Sequence, residues 1–591
     1  MSLNFDLAFT LVVLVATAAA MIRDVLPPTG AILGAVVALL LAGIVTPQEA
    51  LSGFSNPAPL TVAALYIVAR AAERTGALQP LVRSTLGSRP GNRAGLARLL
   101  APVAGASAFL NNTPIVAMLV PQVSEWAHQE GRPPSWYLMP LSFAAVLGGT
   151  ITLVGTSTNI VVSGLMQEAG MEPLAMFELT PVGLPLAGLG LFILVLVAPM
   201  LLPDRRGARQ DLEERAREFV FRMEIDRGGA LDGETVESAG LRRLHGMFLA
   251  EIEREGEIVA PARPDLRLHG GDRLIFVGRA DDVLDLQKIR GLTSTEHEHA
   301  LAFDQPNHTF FEAVVSATSM LAGRTLKEVG FRGRYQAVVL AIHRSGERIH
   351  AQLGGVRIRH GDTLLLLADE GFAERWRDRS DFLLVSHLGG TPRSSPRRPT
   401  YVVGVILAMV LAASTGLLPM LNAALFAAIL MVAGKALTPT DARQAVDLDV
   451  IVLIAAAFGL GAAIRSSGIA DILATGIVST SRTLGPVGTL LGVAIVTMVL
   501  TELITNNAAA VLVFPIAVST AAAAGLDPRP FAVTVAIAAS ASFLSPVGYQ
   551  TNTMVYGPGG YRFMDYLRLG LPMSILALLA VGFIVPAIWG L

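Results

Sequence analysis

Residues 107–121 read SAFLNNTPIVAMLVP, and residues 501–515 read TELITNNAAAVLVFP. Each stretch places two adjacent asparagines, beside a threonine, in a segment that is otherwise nearly all apolar. Uncharged amides offer both donors and acceptors of hydrogen bonds where water is scarce. The two stretches align at one constant offset, which pairs Asn111 with Thr505, Asn112 with Asn506, Thr113 with Asn507 and Pro121 with Pro515. A match of this kind indicates an internal duplication.

The composition indicates a polytopic membrane protein. The 591 residues are 52% hydrophobic and only 16% charged, whereas soluble domains carry roughly a quarter charged residues. Several apolar runs are long enough to cross a hydrocarbon core, which takes about 20 helical residues. The net charge of −2 gives no reason to expect nucleic-acid binding. The absence of cysteine excludes disulfides, thiolate metal sites and cysteine catalysis.

The apolar spans fall into two blocks that flank a charged insert. The predicted domains are a first transmembrane repeat (1–203), a linker (204–218), two modules (219–295 and 304–388), a linker (389–400) and a second transmembrane repeat (401–591). The predicted spans follow one order in both blocks: Leu7–Ile22, Gly30–Ile44, Leu60–Ala72, Trp136–Ser163 and Phe177–Leu202, then Tyr401–Leu417, Leu421–Val432, Val450–Ile464, Phe531–Tyr556 and Leu567–Trp589. In each block an amphipathic stretch and the asparagine segment follow the third span.

Basic residues in short loops predict the orientation, because such loops stay cytoplasmic. Six arginines follow the third span: Arg70, Arg74, Arg83, Arg89, Arg93 and Arg98. Counting spans from there places both termini outside and residues 204–400 in the cytoplasm. If each asparagine segment enters and leaves on one face, each block has five crossings. The second repeat is then inverted relative to the first, which is the plan of many secondary transporters.

A glycine-containing motif follows each asparagine segment: GTSTN at residues 155–159 and GYQTN at residues 548–552. The offset between them differs by one residue from that of the asparagines. A broken helix inside a bilayer leaves backbone groups unpaired, which costs free energy. Four matched breaks, around Asn112, Gly155, Asn506 and Gly548, therefore indicate a functional role. Carbonyl and amide oxygens suit a small hard cation such as Na⁺, and helix N-termini suit an anion.

Two other interpretations of the polar residues in these segments remain open. Asparagine can act as structural glue between membrane helices, and for one segment alone this is the preferred interpretation; two matched pairs favour a site. Glu502 could carry a proton, because intramembrane carboxylates are rare and often functional. It could equally lie among lipid headgroups, and its counterpart is the apolar Ala108.

The charged insert is itself doubled, since residues 231–278 and 321–368 align without a gap. The runs AVVLAIHR and TLLLLA predict strands, and GRTLKEVGF predicts a short helix. The insert is therefore predicted to be a pair of small α/β modules. It contains no GxGxxG and no P-loop, so nothing indicates a dinucleotide or phosphate-transfer site.

The motifs NNTP, VGTSTN, TNNAA and SPVGYQTN, in this order in two halves, resemble those of the divalent anion–sodium symporters. The insert resembles a pair of TrkA-C (RCK-C) modules. The resemblance implies substrate-binding residues Asn112, Thr113, Ser157, Thr158, Asn506, Asn507, Gln550 and Thr551. It implies Na⁺ ligands among Asn111, Asn112, Gly149, Gly155, Thr505, Asn506, Ser545 and Gly548.

The sequence departs from the family pattern. The first hairpin motif has Asn for the family's Ser, the second has Thr for Ser and Asn for Thr, and the paired prolines of the unwound spans are absent. These changes leave the identity of the anion and the number of sodium ions open.

The resulting prediction is a polytopic α-helical membrane protein with an inverted repeat, re-entrant hairpins, broken helices and a cytoplasmic tandem of α/β modules. Its predicted function is Na⁺-coupled uptake of a small divalent anion, and the resemblance implies sulfate as the preferred anion and an elevator-type movement. The alternatives are a dicarboxylate symporter, and a channel or cation/proton antiporter gated by TrkA-C modules. The four loops lack paired carboxylates, which favours Na⁺ over H⁺, and they lack a nucleophile–base pair, which disfavours an enzyme. Expected partners are the lipid bilayer, a second copy in a homodimer and a small ligand at the modules.

Overall fold

The computed structural model describes the chain apart from residues 1, 24, 78–91, 131, 205–219, 242–246, 255–256, 260–265, 279–288, 290, 295–308, 317–318, 345–346, 350–352, 370, 377–380, 389–398, 482–483 and 547. The chain divides into two compact units. One is formed by Met1–Arg205 together with Pro392–Leu591, and the other by Arg206–Thr391. The first unit contains both apolar blocks, and the second contains the insert.

The first apolar block consists of helices α1 (Ser2–Ile22), α2 (Pro28–Leu41), α3 (Pro47–Ala50), α4 (Ser52–Ser55), α5 (Pro57–Arg74), α6 (Asn92–Ser107), α7 (Asn112–Gln129), α8 (Ser135–Gly149), α9 (Ser157–Glu168) and α10 (Thr180–Leu201). Side chains accept free N–H groups at the starts of several of these helices, including α3 and α5. Thr46 and Glu49 form a capping box at α3. Asn56 Oδ1 accepts the Ala58 N–H at 2.9 Å at the start of α5.

The insert contains two five-stranded antiparallel sheets. The strands are β1 (Val220–Ile225), β2 (Met247–Arg254), β3 (Glu257–Val259), β4 (Arg273–Gly278), β5 (Leu292–Ser294), β6 (Thr309–Val315), β7 (Ala337–Arg344), β8 (Glu347–Arg348), β9 (Thr363–Ala368) and β10 (Phe382–Leu388). The sheet orders are β3-β2-β4-β1-β5 and β8-β7-β9-β6-β10, so equivalent strands occupy equivalent places. Two short helices, α11 (Phe331–Tyr335) and α12 (Phe372–Trp376), and a 3₁₀ turn (Leu353–Gly355) accompany the second sheet.

The same ion pair between an arginine and a buried aspartate recurs in both sheets. Arg254 donates from Nε and Nη2 to Asp272, with both distances 2.8 Å, and Arg344 donates in the same way to Asp362, with both distances 2.7 Å. Each carboxylate is only 1% exposed. A bidentate pair fixes the geometry of a carboxylate tightly. The recurrence of this pair matches the gapless alignment of the two sequences.

The predicted strands AVVLAIHR and TLLLLA coincide with β7 and β9. The short helix predicted for GRTLKEVGF is wrong, because most of this segment is turn and α11 begins only at Phe331. Gly330 has a φ of 60°, a left-handed conformation that interrupts a helix, and Thr325 pairs with Arg357 in a β-bridge. In the described residues the modules are therefore mainly antiparallel sheet, with less helix than expected.

The second apolar block consists of α13 (Pro399–Ser414), α14 (Met420–Ala433), α15 (Pro439–Ala445), α16 (Leu448–Ser466), α17 (Ile469–Ser481), α18 (Gly485–Leu503), α19 (Asn506–Ala524), α20 (Pro528–Ser540), α21 (Gln550–Tyr556) and α22 (Phe563–Trp589). Five helices of the described chain, α10, α16, α18, α19 and α22, are long and apolar enough to cross a membrane. Thr438 and Asp441 form a capping box at α15, as Thr46 and Glu49 do at α3.

The predicted spans Trp136–Ser163 and Phe531–Tyr556 are both interrupted. The first consists of α8 and α9, with non-helical residues 150–156 between them, and the second consists of α20 and α21, with residues 541–549 between them. The helices before the interruptions are deeply buried: all of the residues from Pro530 to Ser540 in α20 are buried. Each interruption therefore lies inside the first unit, where its backbone must find partners in the protein.

Candidate functional site

The two asparagine segments lie at gaps between helices. α6 ends at Ser107 and α7 begins at Asn112, whereas α18 ends three residues before Asn506, the first residue of α19. Asn112 is 1% exposed and Asn506 is 8% exposed, so both amides lie inside the first unit. The two downstream motifs lie at gaps of their own, because α9 begins at Ser157 and α21 begins at Gln550.

A cluster of oxygen atoms surrounds the Asn112 amide. The Ser107 hydroxyl contacts Asn112 Oδ1 and also donates to the Ala145 carbonyl at 2.8 Å. The same amide atom lies 3.1 Å from the Ala145 carbonyl oxygen and 3.2 Å from the Gly155 carbonyl oxygen. All four oxygens can accept, and the only hydrogen among them is that of the hydroxyl. Such a cluster is stable when a cation lies among the oxygens or when the amide turns its N–H groups towards them.

A second cluster surrounds the Asn506 amide. The Thr501 hydroxyl lies 2.9 Å from Asn506 Oδ1 and 2.7 Å from the Ala539 carbonyl oxygen. Thr501 and Ala539 stand at the same offset from Ser107 and Ala145 as Asn506 does from Asn112. Here too a single hydroxyl hydrogen faces two acceptors. The shortage of hydrogens therefore recurs in both halves of the unit.

The sequence analysis missed the two hydroxyls and the two alanine carbonyls. Ser107 and Thr501 did carry a signal, because each lies five residues before its asparagine and the two share the asparagines' offset. Ala145 and Ala539 carry none, since a backbone carbonyl is present in every residue.

Three of the predicted cation ligands lie around the first cluster. A Cβ on Gly149 would be 2.9 Å from Asn112 Nδ2, and a Cβ on Gly155 would be 2.6 Å from the Gly149 carbonyl oxygen. The Gly149 carbonyl itself accepts from Asn159 Nδ2 at 3.1 Å. Asn111 directly precedes α7, and its Oδ1 accepts the Thr113 N–H at 3.3 Å, which satisfies a free donor at the start of this helix. The Asn112 amide thus packs directly against the backbone of Gly149. Asn111 does not belong to the oxygen cluster around Asn112.

The equivalent residues of the second half lie around the second cluster. A Cβ on Gly548 would be 2.6 Å from the Thr501 carbonyl oxygen, and the Gly548 N–H donates to the Ser545 hydroxyl at 3.1 Å. Asn552 Nδ2 donates to the Ser545 carbonyl at 3.3 Å, as Asn159 does in the first half to the Thr152 carbonyl. Thr505 is the N-cap residue of α19.

The predicted anion-binding residues form contacts between the halves. The Thr113 hydroxyl lies 3.3 Å from Gln550 Oε1. Asn507 Oδ1 accepts from Ser157 at 3.2 Å and from Thr158 at 3.1 Å. Each asparagine segment therefore faces the interruption of the other half, and the polar side chains of both converge at the starts of α7, α9, α19 and α21. Thr551 lies further inside, 2.9 Å from the Ser142 hydroxyl.

The segments that carry these polar residues contain few charged side chains. Residues 107–113, 149–159, 501–507 and 542–552 contain no Arg, Lys or His and a single carboxylate, that of Glu502. Glu502 Oε1 accepts the N–H groups of Phe543 and Leu544, both at 2.8 Å. The carboxylate thus binds the backbone of the interruption between α20 and α21. In this arrangement neutral oxygens and N–H groups, rather than ionic side chains, supply most of the polar surface.

The sequence matches one family model. This model, CitMHS, is described as a citrate transporter, and it matches residues 12–538. The chain belongs to this transporter family. Membership and the apolar helices make it a multi-pass membrane protein, and its family role is transport rather than catalysis.

Three relatives carry informative names. An uncharacterized transporter of Synechocystis, sll0640, is 36% identical over 99% of this chain and 98% of the relative. A Chlamydomonas reinhardtii protein named as a candidate sulfur deprivation response regulator is 34% identical over 95% of this chain and 98% of the relative. Sodium/sulfate cotransporter 1 of the same alga is 25% identical over 92% of this chain and 85% of the relative.

Proposed function

We propose that this transporter couples the inward movement of Na⁺ to the uptake of a small divalent anion, and that the anion is sulfate. The observation that carries this proposal is the cluster of Asn112 Oδ1, Ser107 Oγ and the Ala145 and Gly155 carbonyls. The cluster recurs around Asn506. The cotransporter name of the algal relative supports both sodium and sulfate.

A small cation resolves the shortage of hydrogens in each cluster. Carbonyl, amide and hydroxyl oxygens are hard ligands, and Na⁺ bound among them needs no carboxylate. The ligands of the first ion are Ser107, Asn112, Ala145 and Gly155, and those of the second are Thr501, Asn506, Ala539 and, by equivalence with Gly155, Gly548. Asn111, Thr505, Gly149 and Ser545 lie around these ligands and position them.

The anion binds between the two cation sites, where hydroxyls and amides of both halves converge. Thr113, Ser157 and Thr158 supply hydroxyls, and Asn507 and Gln550 supply amide N–H groups when their side chains rotate. The N-termini of α7, α9 and α19 add positive dipole ends. Sulfate exposes acceptor oxygens in all directions, so donors from both halves reach it at once. Two sodium ions beside it balance its charge without any arginine or lysine.

The halves have an inverted relationship in this proposal, and the movement is of the elevator type. The hydrogen bonds between Thr113 and Gln550 and between Asn507 and Ser157 are equivalent under exchange of the two halves, which supports a two-fold relationship. Both termini lie outside, and residues 204–400 lie in the cytoplasm as two TrkA-C modules that pair across a homodimer and bind a small regulatory ligand.

Uptake into proteoliposomes tests the proposal directly. Purified protein is reconstituted, and labelled sulfate, succinate and citrate are offered with and without an inward sodium gradient. Sulfate uptake that depends on the gradient supports the proposal. Uptake of a carboxylate instead of sulfate supports the second candidate, a Na⁺-coupled carboxylate symporter, which the description of the family model favours.

Because neutral oxygens bind the cation, the sodium-driven rate is expected to be nearly flat between about pH 5.5 and 7.5, a range in which unperturbed carboxylates stay ionised. The measurement is initial sulfate uptake at fixed sodium across this range. A proton gradient that drives equal uptake in sodium-free buffer would contradict the cation assignment and would make Glu502 the coupling group.

The insert is expected to contribute no ligand to either ion or to the anion. Replacing residues 206–391 with a flexible linker should therefore keep sodium-dependent sulfate binding, although the transport rate can change if a ligand of the modules normally biases one conformation. The measurement is sulfate binding by the purified dimeric variant. Complete loss of binding in a folded dimer would show that the insert does more than regulate or assemble the protein.

A further inference from the structure

Tyr549 connects the interruption of the second half with the oxygen cluster of the first. It is the N-cap residue of α21 and is only 8% exposed. Its hydroxyl lies 2.6 Å from the Asn112 amide and 3.2 Å from the Thr156 hydroxyl. The position equivalent to Tyr549 in the first half is Thr156, so only one half carries a side chain long enough for this connection.

The Asn112 amide has two orientations, of which only the second satisfies every neighbouring group when no cation is present. In the first, Oδ1 belongs to the oxygen cluster and Nδ2 donates to the Tyr549 hydroxyl oxygen at 2.6 Å. In the second, Nδ2 donates to the Gly155 carbonyl at 3.2 Å and to the Ala145 carbonyl at 3.1 Å, and Oδ1 accepts from the Tyr549 hydroxyl at 2.6 Å. The first orientation leaves the oxygens for a cation, whereas the second fills the same place with amide hydrogens.

The orientation of the amide decides where the hydrogen of Tyr549 goes. A phenol has one hydrogen and can also accept. When Asn112 donates to the Tyr549 hydroxyl, the hydrogen of Tyr549 can be donated to the Thr156 hydroxyl. When Tyr549 donates to Asn112, the Thr156 hydroxyl donates to Tyr549 instead. Either of these two hydroxyls can be the donor at 3.2 Å. Thr156 is the N-cap residue of α9 and directly precedes Ser157 and Thr158, which contact Asn507.

We infer that Tyr549 is a positioning residue whose hydroxyl follows the orientation of the Asn112 amide and thereby relays cation occupancy to the anion-binding residues at the start of α9. This inference rests on the proposed sodium site at Asn112. Sodium favours the first orientation, because it binds Oδ1 and leaves Nδ2 for Tyr549. Thr156 then accepts a hydrogen bond, and its own hydrogen becomes available at the start of α9. The coupling therefore passes through three side chains from two halves of the chain.

The test is the Tyr549→Phe variant, which removes only the hydroxyl. The sodium concentration for half-maximal sulfate uptake is expected to rise roughly three- to tenfold, because bound sulfate no longer raises the affinity for sodium through this chain of hydrogen bonds. The maximal rate at saturating sodium should fall less, since the sodium ligands are intact. Tyr401→Phe is the matched control, because it removes a partly buried hydroxyl that donates to the Leu430 carbonyl at 2.8 Å, away from the candidate site. Its sodium dependence should equal that of the unmodified protein.

Thr156→Val removes the other end of the relay and should raise the half-maximal sodium concentration in the same direction. The double variant should be less than additive, because both changes interrupt one chain of contacts. An unchanged half-maximal sodium concentration in folded Tyr549→Phe overturns the inference; if that variant does not fold, the same result for Thr156→Val overturns it. Failure of the proposed function is distinguishable, since the unmodified protein would then transport sulfate without sodium or not at all.

Discussion

Asn112→Ala and Asn506→Ala are each expected to reduce sodium-dependent sulfate uptake by roughly ten- to a hundredfold, because hydrogen bonds and contacts to a charged ligand contribute about 1.5–3 kcal/mol each. Asn112→Ala removes Oδ1 from the first cluster and Nδ2 from Tyr549. Asn506→Ala removes the oxygen that faces the Thr501 hydroxyl at 2.9 Å. The measurement is initial uptake at several sodium concentrations in proteoliposomes of equal protein content.

Gln122→Ala is the matched control for the first substitution. Gln122 is also an uncharged amide on α7, but its Nε2 donates to the Met118 carbonyl of the same helix at 3.0 Å. Its loss should leave uptake within about twofold, as expected for a weak, partly exposed hydrogen bond. Normal uptake by both asparagine variants would remove the binding sites from these segments, whereas failure of the control would indicate that α7 tolerates no change of this size.

The sequence predicted the parts of this site that have a local signal. Amides are unusual in an apolar segment, so Asn112 and Asn506 stand out, and glycine-containing motifs at nearly the same offset indicated the two interruptions. The strands β7 and β9 were predictable because their alternating or continuous apolar runs are short and rich in β-branched and aliphatic residues. Each of these predictions needs only residues that are close together in the sequence.

The remaining parts of the site depend on contacts between distant segments. Tyr549 reaches Asn112 across 437 positions of sequence, and neither residue alone predicts the other. The Ala145 and Ala539 carbonyls have no side chain to mark them. The helix predicted near Gly330 is wrong for a different reason, because a left-handed φ of 60° at this glycine determines the local backbone more strongly than the helix-forming residues before it do.

Gly155→Ala is expected to abolish most sodium-dependent uptake, because an added Cβ would lie 2.6 Å from the Gly149 carbonyl oxygen and 2.9 Å from the Ser107 carbonyl oxygen. Contacts with backbone atoms at this distance force the interruption between α8 and α9 to shift, and the Gly155 carbonyl shifts with it. A loss of roughly five- to a hundredfold is expected, since a packed backbone contact of this kind costs about 1–3 kcal/mol. Uptake and gel-filtration profiles of the purified variant measure the effect.

Gly188→Ala is the control for this substitution. Gly188 also lies within a helix of the first half, α10, but a Cβ there would meet nothing within 4 Å, so uptake should be normal. Gly548→Ala then separates the two half-sites, because its Cβ would lie against the Ser542 hydroxyl and 2.6 Å from the Thr501 carbonyl oxygen. If both clusters bind Na⁺, each glycine variant should lower the Hill coefficient for sodium towards one. If Gly548→Ala keeps the Hill coefficient of the unmodified protein, only the Asn112 cluster takes part in coupling, and a single sodium ion accompanies each anion through that site.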